Sequence, residues 1–362
     1  MNSYPGCTLH QIGPYIGKMR PSLARQLVMH YSKQGDWVWD PFCGSGTIPL
    51  ECRLLYRHVI AADINPYACA LTRAKLHAPI SEDLCFSQLN LAAKALDNLP
   101  EENTDEIPQW VESFFHDQTL RETKALLAEF IRKRYFFNTG CLLGILHHQR
   151  PGFLSYPASH LVPYLRDRLY PRDQYPEAYE YRDPIPRLKA KIKRMLKIPP
   201  PHLTTRFRVL QKSVIKKYLP DASVDVIITS PPYMNALDYA RDNRLRLWFI
   251  GVDDHKTVKE KEIGRISTFK KDMLVTLQIM SQVIKPGGAC VLVLGDVTST
   301  NRKYDIPAMI SELVKNKVNN LCLENQWIEN VPDYRRARRN GRATKKETII
   351  VFRCPNGGGN YA

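Results

Sequence analysis

The 362-residue sequence predicts an α/β protein: an open sheet of about seven strands, mostly parallel, with an antiparallel last strand and one interruption. Three observations predict it. Residues 36–76 alternate short apolar runs with helical stretches, in the order strand–turn–helix–strand–helix. That texture lapses from about 80 to 205 and resumes at 206. The last two apolar runs, NQWIENV and ETIIVFR, bracket a single polar loop, as a final antiparallel pair would.

The elements follow in order. Trp37-Val38-Trp39 opens the sheet, and a glycine-rich turn leads into the helix-like IPLECRLLY. HVIAAD is the second strand and ACALTRAKL the second helix. In the interruption, residues 119–133 are helix-like, and a Pro- and Tyr-rich stretch from His147 to Pro176 follows. Residues 182–197 carry Arg182, Arg187, Lys189, Lys191, Lys193, Arg194 and Lys197 against a single acid, Asp183. After it, RFRVLQ and VDVIITS read as strands, 268–284 as a helix, and KPGG as the turn into the strand ACVLVLGD. The expected organisation is one α/β domain in two parts, 1–80 and 206–362, around an inserted region at 81–205.

Composition narrows the partners. Hydrophobic residues make up 44% and charged residues 24%, which is ordinary globular material with enough for a core. Lys plus Arg number 52 against 36 Asp plus Glu, a formal charge of +16. Such an excess sets aside the usual acidic metabolic enzyme and favours a polyanion, with a merely solvated basic surface as the alternative. Nine cysteines, an odd number without a CxxC pair, argue against a disulfide framework or zinc ribbon and for a reducing interior. The N-terminus lacks an apolar targeting core, and no run approaches the roughly 18 apolar residues of a membrane span. A soluble, cytoplasmic protein is expected.

The first chemical motif is Asp40-Pro41-Phe42-Cys43-Gly44-Ser45-Gly46-Thr47, set between a strand and a helix. Two glycines one residue apart let backbone approach a ligand, and the helix start offers unpaired N–H groups. Asp63 ends the next strand, 19 residues beyond Gly44, placed to accept the hydroxyls of a ribose. A purely structural turn uses the same glycines; the flanking strand, helix and acid favour the ligand site. The third glycine of GxGxxG is missing, which points away from a dinucleotide toward a smaller adenosine-bearing cofactor.

The second motif, Ser230-Pro231-Pro232-Tyr233, follows the strand-like DVIIT. Consecutive prolines continue neither helix nor sheet, so the backbone is stiff and its carbonyls are available as acceptors. Such a corner holds an amino group between the Ser230 hydroxyl and a proline carbonyl, with Tyr233 stacked on the ring bearing it. An exposed proline turn is the alternative for this motif taken alone.

Together the runs GDWVWDPFCGSGTIPLECRLLYRHVIAADINP and VDVIITSPPY resemble the amino-methylating DNA methyltransferases, and SPPY is similar to their cytosine-N4 branch. GKMRPSLARQLV, residues 17–28, resembles the helix that precedes the cofactor strand there. The resemblance covers roughly 17–76 and 206–353. It implies a Rossmann-like S-adenosylmethionine-dependent methyltransferase fold, with 81–205 as target-recognition insertion. Its cofactor residues would be Lys18, Asp40, Phe42, Gly44, Gly46, Thr47 and Asp63, and its catalytic residues Ser230, Pro231, Pro232 and Tyr233. The implied reaction is methyl transfer to the N4 amine of cytosine in duplex DNA, by direct in-line attack after base flipping. Serine at 230 favours cytosine, since adenine-N6 members typically carry an acid or amide there. The motif order, cofactor before catalytic with the insertion between, departs from the arrangement common in the N4 branch. That leaves an adenine-N6 methyltransferase open, together with an RNA amino-methyltransferase and a non-catalytic DNA-binding module.

No thiolate is required by this chemistry, and Cys43 reads as small packing. The implied partner is duplex DNA in the prokaryotic cytosol, close to the nucleoid. A cognate restriction endonuclease would belong to the same system, with no direct contact implied. Arg335, Arg336, Arg338, Arg339, Arg342 and Lys345 are the expected phosphate contacts. Asn235, Asp238, Tyr239, Arg241, Arg244 and Asp296 either line the cleft or serve local turns and caps. His147, His148 and His160 lack metal-ligand spacing and read as core or surface histidines.

Overall fold

In the computed structural model, residues 7–99, 106–147, 152–155, 171, 173–234, 238–295, 297–299, 302–330 and 346–356 are described. Contacts divide the chain into two compact units. One comprises residues 15–72, 203–239 and 257–362; the other comprises 1–14, 73–202 and 240–256.

The first unit holds the sheet. Its strands are β1 (Trp37–Asp40), β2 (His58–Asp63), β3 (Phe207–Gln211), β4 (Val224–Thr229) and β5 (Ile284–Gly295). A short hairpin, β6 (Val297–Ser299) and β7 (Arg302–Tyr304), stands apart, and β8 (Cys322–Asn330) and β9 (Lys346–Arg353) complete the set. The seven-stranded sheet runs β3-β2-β1-β4-β5-β9-β8. The pairs from β3 to β5 are parallel, and β9 is antiparallel to both β5 and β8. The expected seven strands and antiparallel last strand are both present.

This order follows from burial. The interior strands β2, β4 and β5 are apolar on successive residues, as strands covered on both faces must be. β3 and β8 expose more of their length and sit at the two edges. The chain steps outward from β1 to β2 to β3, then returns to place β4 on the other side of β1. The sheet order therefore reverses between β1 and β4, and an open α/β sheet leaves a crevice beyond the strand carboxyl ends at such a point.

One expectation shifts. KPGG is part of β5 rather than a separate turn, and it bulges: Val224 pairs with Ile284 while Val226 already pairs with Ala289. Pro286 has no N–H to give the ladder, and Gly287 adopts φ +77°. Gly288 lies so close to β4 that a Cβ would sit 2.6 Å from the Asp225 carbonyl.

The second unit is helical. Its helix Asp117–Arg132 covers the stretch read as helix up to its last residue, Lys133, which is the C-cap, and buries Leu120, Leu126, Leu127 and Phe130. In the basic run, Asp183 caps the helix Pro184–Met195 by accepting from the Ile185 N–H at 2.8 Å. Two of the seven cations there turn inward. Arg182 is buried, and the Lys191 ammonium donates to the Gln11 carbonyl at 2.8 Å. His147 accepts or donates at 3.0 Å with Ser155 and meets the Phe114 ring edge-on. Among the described residues, no helix is long and apolar enough to cross a membrane, and no three His, Cys, Asp or Glu gather as a metal site.

Candidate active site

The site grows from the two adjacent strands β1 and β4, paired through Val38–Val226 and Trp39–Ile227. Both end at the crevice. Asp40, the last residue of β1, is buried, and the Thr229 hydroxyl at the end of β4 donates to it at 2.6 Å. The Phe42 N–H donates to the same oxygen at 3.3 Å. Burial pushes the Asp40 carboxyl up to about 7, against the pull of these two donors.

Beyond Asp40 the chain makes the glycine corner. The Cys43 N–H donates to the Ala62 carbonyl at 2.9 Å, and the Gly46 N–H returns to the Cys43 carbonyl at 2.7 Å. Gly44 and Gly46 have φ of +46° and +73°, backbone that L side chains rarely adopt. Gly46 then precedes α2 (Thr47–Leu54) as its cap. A Cβ on Gly46 would lie 2.6 Å from the Thr72 Oγ1 and 2.9 Å from its Cα, on α3 (Pro66–Leu76). Gly46 does not line the cavity; it turns the chain against Thr72. Gly44 does line it, facing Tyr15.

Asp63, ending β2, closes this corner. One carboxylate oxygen accepts from the Gly44 N–H at 2.9 Å and the other from the Asn65 N–H at 2.9 Å. Burial raises its carboxyl to about 6, and these N–H groups hold it from going higher. Asn65 accepts from the Tyr67 N–H at 3.0 Å with its amide oxygen. Asn65 is among the residues lining the same cavity, and its buried Nδ2 has no acceptor among the described residues. Cys43 is buried and its thiol is pushed well above the ordinary range, mainly by burial, which favours the neutral thiol.

At the proline corner two side chains reach across the sheet. The Ser230 hydroxyl donates to the Val293 carbonyl of β5 at 3.0 Å. The Tyr233 hydroxyl donates to Glu347 of β9 at 3.2 Å.

One cavity is lined by both corners. Asp40–Ser45, Thr47 and Asp63–Asn65 form one side, and Ser230–Tyr233 another. Lys18 and Met19 also line it. Every expected catalytic residue is here, as are all the expected cofactor residues except Gly46. Tyr239 also lines it, one of the residues left between cleft and cap, while Asp238 pairs with Lys259 and Arg244 stacks on Trp110. The six cations expected to hold phosphate (Arg335, Arg336, Arg338, Arg339, Arg342, Lys345) lie outside the described residues, as do Asn235, Asp296, His148 and His160.

Several lining residues had no motif to announce them. Lys212, Ser213 and Val214 follow the carboxyl end of β3, so the strand-end rule could have found them. Tyr15 stacks on Tyr239 with ring centroids 5.9 Å apart, and nothing in its local sequence signals that. Lys261, Glu262 and Ile263 come from a loop without any distinguishing pattern.

Fold and cavity define an open α/β domain with a cavity beyond the strand ends where the sheet order reverses. Residues 9–74 match the N6/N4 methyltransferase family model, described as DNA methylase, so the resemblance read from the sequence holds over this segment. The Type II methyltransferase M.MjaII of Methanocaldococcus jannaschii is 37% identical over 68 residues, 19% of this chain and 13% of that protein. The tRNA (guanine(10)-N2)-dimethyltransferase of Methanothermobacter thermautotrophicus is 46% identical over 52 residues, 14% of this chain and 16% of that protein. The Type II methyltransferase M.BsoBI of Geobacillus stearothermophilus is 25% identical over 303 residues, 72% of this chain. The chain spans 56% of that last relative's length and far less of the other two.

Proposed function

We propose that the protein is an S-adenosylmethionine-dependent DNA methyltransferase acting on an exocyclic amine, with N4 of cytosine in duplex DNA as the preferred target. One observation carries this reading. The glycine corner and Ser-Pro-Pro-Tyr stand at the ends of neighbouring strands, joined by the Thr229–Asp40 hydrogen bond, and line one cavity.

The residues present fit the cofactor. Gly44 leaves open backbone where a side chain would crowd Tyr15, and Asp63 offers a carboxylate at the end of β2 for ribose hydroxyls. The Asn65 Nδ2, without an acceptor among the described residues, is the proposed donor to a ring nitrogen or sugar oxygen. Lys18 lines the cavity as a cation for a carboxylate. When bound there, S-adenosylmethionine supplies an electrophilic methyl group on a sulfonium.

The chain's own residues then prepare the amine. An exocyclic amine on a pyrimidine is a poor nucleophile, because its lone pair is delocalised into the ring. The Ser230 hydroxyl hydrogen is committed to Val293, so its oxygen keeps lone pairs to accept one amine N–H. The Pro231 carbonyl is the proposed acceptor for the other. Two such bonds favour a pyramidal nitrogen with its lone pair localised. Tyr233 is proposed to stack on the base. Positioning of this kind supplies roughly 7–11 kcal/mol in well-aligned systems.

Extruding a paired base costs a few kcal/mol. The chain's +16 charge favours the phosphate contacts that would offset this cost, with the 335–346 segment as leading candidate. The region 81–205 is the proposed target-recognition part. A cytosolic setting beside a restriction enzyme completes the reading.

A second reading, an RNA amino-methyltransferase, is favoured by the 46% identity over 52 residues to a tRNA (guanine(10)-N2)-dimethyltransferase. One assay separates them. The protein is incubated with methyl-labelled S-adenosylmethionine and duplex DNA or RNA, and the product is digested to nucleosides. Label in N4-methylcytosine is the expected result. Label in N6-methyladenine keeps the reaction and changes the base, label in RNA alone favours the second reading, and binding without transfer overturns the enzyme.

A further inference from the structure

We propose that Glu347 is a positioning residue for Tyr233, fixing the ring of the proline corner through its hydroxyl so that it stacks on the substrate base; this rests on the function proposed above. Tyr233 follows two prolines, which stiffen its backbone but leave its side-chain torsions to be settled elsewhere. The hydrogen bond of 3.2 Å from its hydroxyl to Glu347 settles them.

Glu347 is an odd residue for its place. It lies near the start of β9, in register with Gly295 of β5 on one side and Glu329 of β8 on the other. Two carboxylates directly opposite on neighbouring strands repel, and a partly buried acid is a poor choice for strand stability. The groups facing it are Tyr233 from the proline corner, Arg20 from the start of α1 (Pro21–Tyr31), and Glu329 from β8. Burial raises the Glu347 carboxyl, while Tyr233 and Arg20 lower it and Glu329 raises it again.

Arg20 relieves the acid pair by donating to Glu329 at 2.8 Å. It also follows directly on Lys18 and Met19, which line the cavity. The acid pair thus ties together the segment on the cofactor side and the aromatic ring on the substrate side. A strand that needed only stability would carry a β-branched residue at 347. An acceptor aimed at a tyrosine of the cavity explains the acid.

The test compares Glu347→Ala, Glu347→Gln, Tyr233→Phe and the double variant Tyr233→Phe/Glu347→Ala in the full chain. Turnover on the nucleic acid is measured together with S-adenosylmethionine affinity by calorimetry. Glu347→Ala should lower kcat about 10- to 100-fold. Cofactor affinity should stay within about twofold, the signature of a group that acts only on the reacting geometry. Glu347→Gln keeps an acceptor and should restore most of the turnover. Tyr233→Phe should match Glu347→Ala, and the double variant should be no worse than either.

Wild-type turnover in Glu347→Ala, or losses that add in full in the double variant, overturn the positioning role. So does a cofactor affinity that falls with kcat. If Glu347→Ala fails to fold, the near-isosteric Tyr233→Phe decides alone, since undiminished turnover there overturns the role. A wild-type protein that transfers no methyl group to any nucleic acid overturns the proposed function first and this role with it, an outcome separate from the others.

Discussion

The two corners of the cavity hold their shape by opposite means. The glycine corner is held from nearby: Asp63 grips the Gly44 N–H, the Cys43 N–H bonds the Ala62 carbonyl, and Thr72 leaves no room for a side chain at Gly46. These partners fall within one strand–helix–strand–helix unit, residues 37–76, with Thr229 on Asp40 and Tyr15 beside Gly44 coming from outside it. The proline corner is held from afar. Ser230 and Tyr233 send their hydroxyls to Val293 and Glu347, 63 and 114 residues along the chain. The first corner is an intrinsic piece of backbone, the second an assembly of strands. Substitutions should therefore damage the first through packing and the second through chemistry.

The largest effect is expected at Gly46. Alanine there adds a Cβ 2.6 Å from Thr72 Oγ1 and 2.9 Å from its Cα, at φ +73°. The backbone conformation costs about 1 kcal/mol and the overlap about 1–3 kcal/mol more. Gly46→Ala should lower the thermal midpoint and abolish measurable cofactor binding at micromolar concentrations. At Gly44 the nearest atom is the flexible Tyr15 ring at 3.3 Å, so Gly44→Ala should cost visibly less. Equal losses at the two positions would mean that Thr72 does not shape the corner.

The next effect separates the corners by what they do. Ser230→Ala removes the proposed amine acceptor without touching the backbone turn. It should reduce kcat roughly 100-fold and leave cofactor affinity nearly unchanged. Asp63→Ala removes the acceptor of two backbone N–H groups and the proposed ribose partner. It should weaken cofactor binding tenfold or more, with turnover at saturating cofactor much less affected. Steady-state kinetics and calorimetry on both variants read this crossing directly. Parallel losses in both constants for both variants would dissolve the distinction between the corners.

The same contrast explains what could be read in advance. The glycine corner, its acid and the strand in front of it were legible because each partner lies within a few dozen residues, in the order backbone geometry demands. The interior strands were legible too, since continuous apolar runs mark strands covered on both faces. The partners of the proline corner were not. That Val293 and Glu347 face it depends on β5 lying beside β4 and β9 beside β5, which periodicity along the chain does not encode. Tyr15 and Lys212 reach the cavity for the same reason. Charge pattern does not show which cations turn inward: Arg182 and Lys191 belong to the basic run, yet both are buried, and Lys191 spends its ammonium on the Gln11 carbonyl.

The smallest effect concerns the bond that joins the corners. Asp40 is 2% exposed and its carboxyl is pushed up to about 7 by burial. In an unfolded chain the same group titrates near 3.9. Between those values the folded protein holds a proton that the unfolded chain has released, so stability falls as pH rises through the window. The slope from one such group is at most about 1.4 kcal/mol per pH unit. Asp63, raised to about 6, contributes with the same sign and is half-titrated at pH 6. Above pH 6 the Asp40 share is the larger of the two. Asp40→Asn keeps the size of the side chain and an acceptor for the Thr229 hydroxyl but carries no titrating proton. Denaturant unfolding at half-unit steps from pH 5 to 8 should show a flatter profile in the variant, with the difference in slope largest from pH 5 to 6 and fading as pH rises through 7. An unchanged slope there would mean that the carboxyl is ionised throughout, and that Thr229 and the Phe42 N–H hold a full negative charge between the two corners.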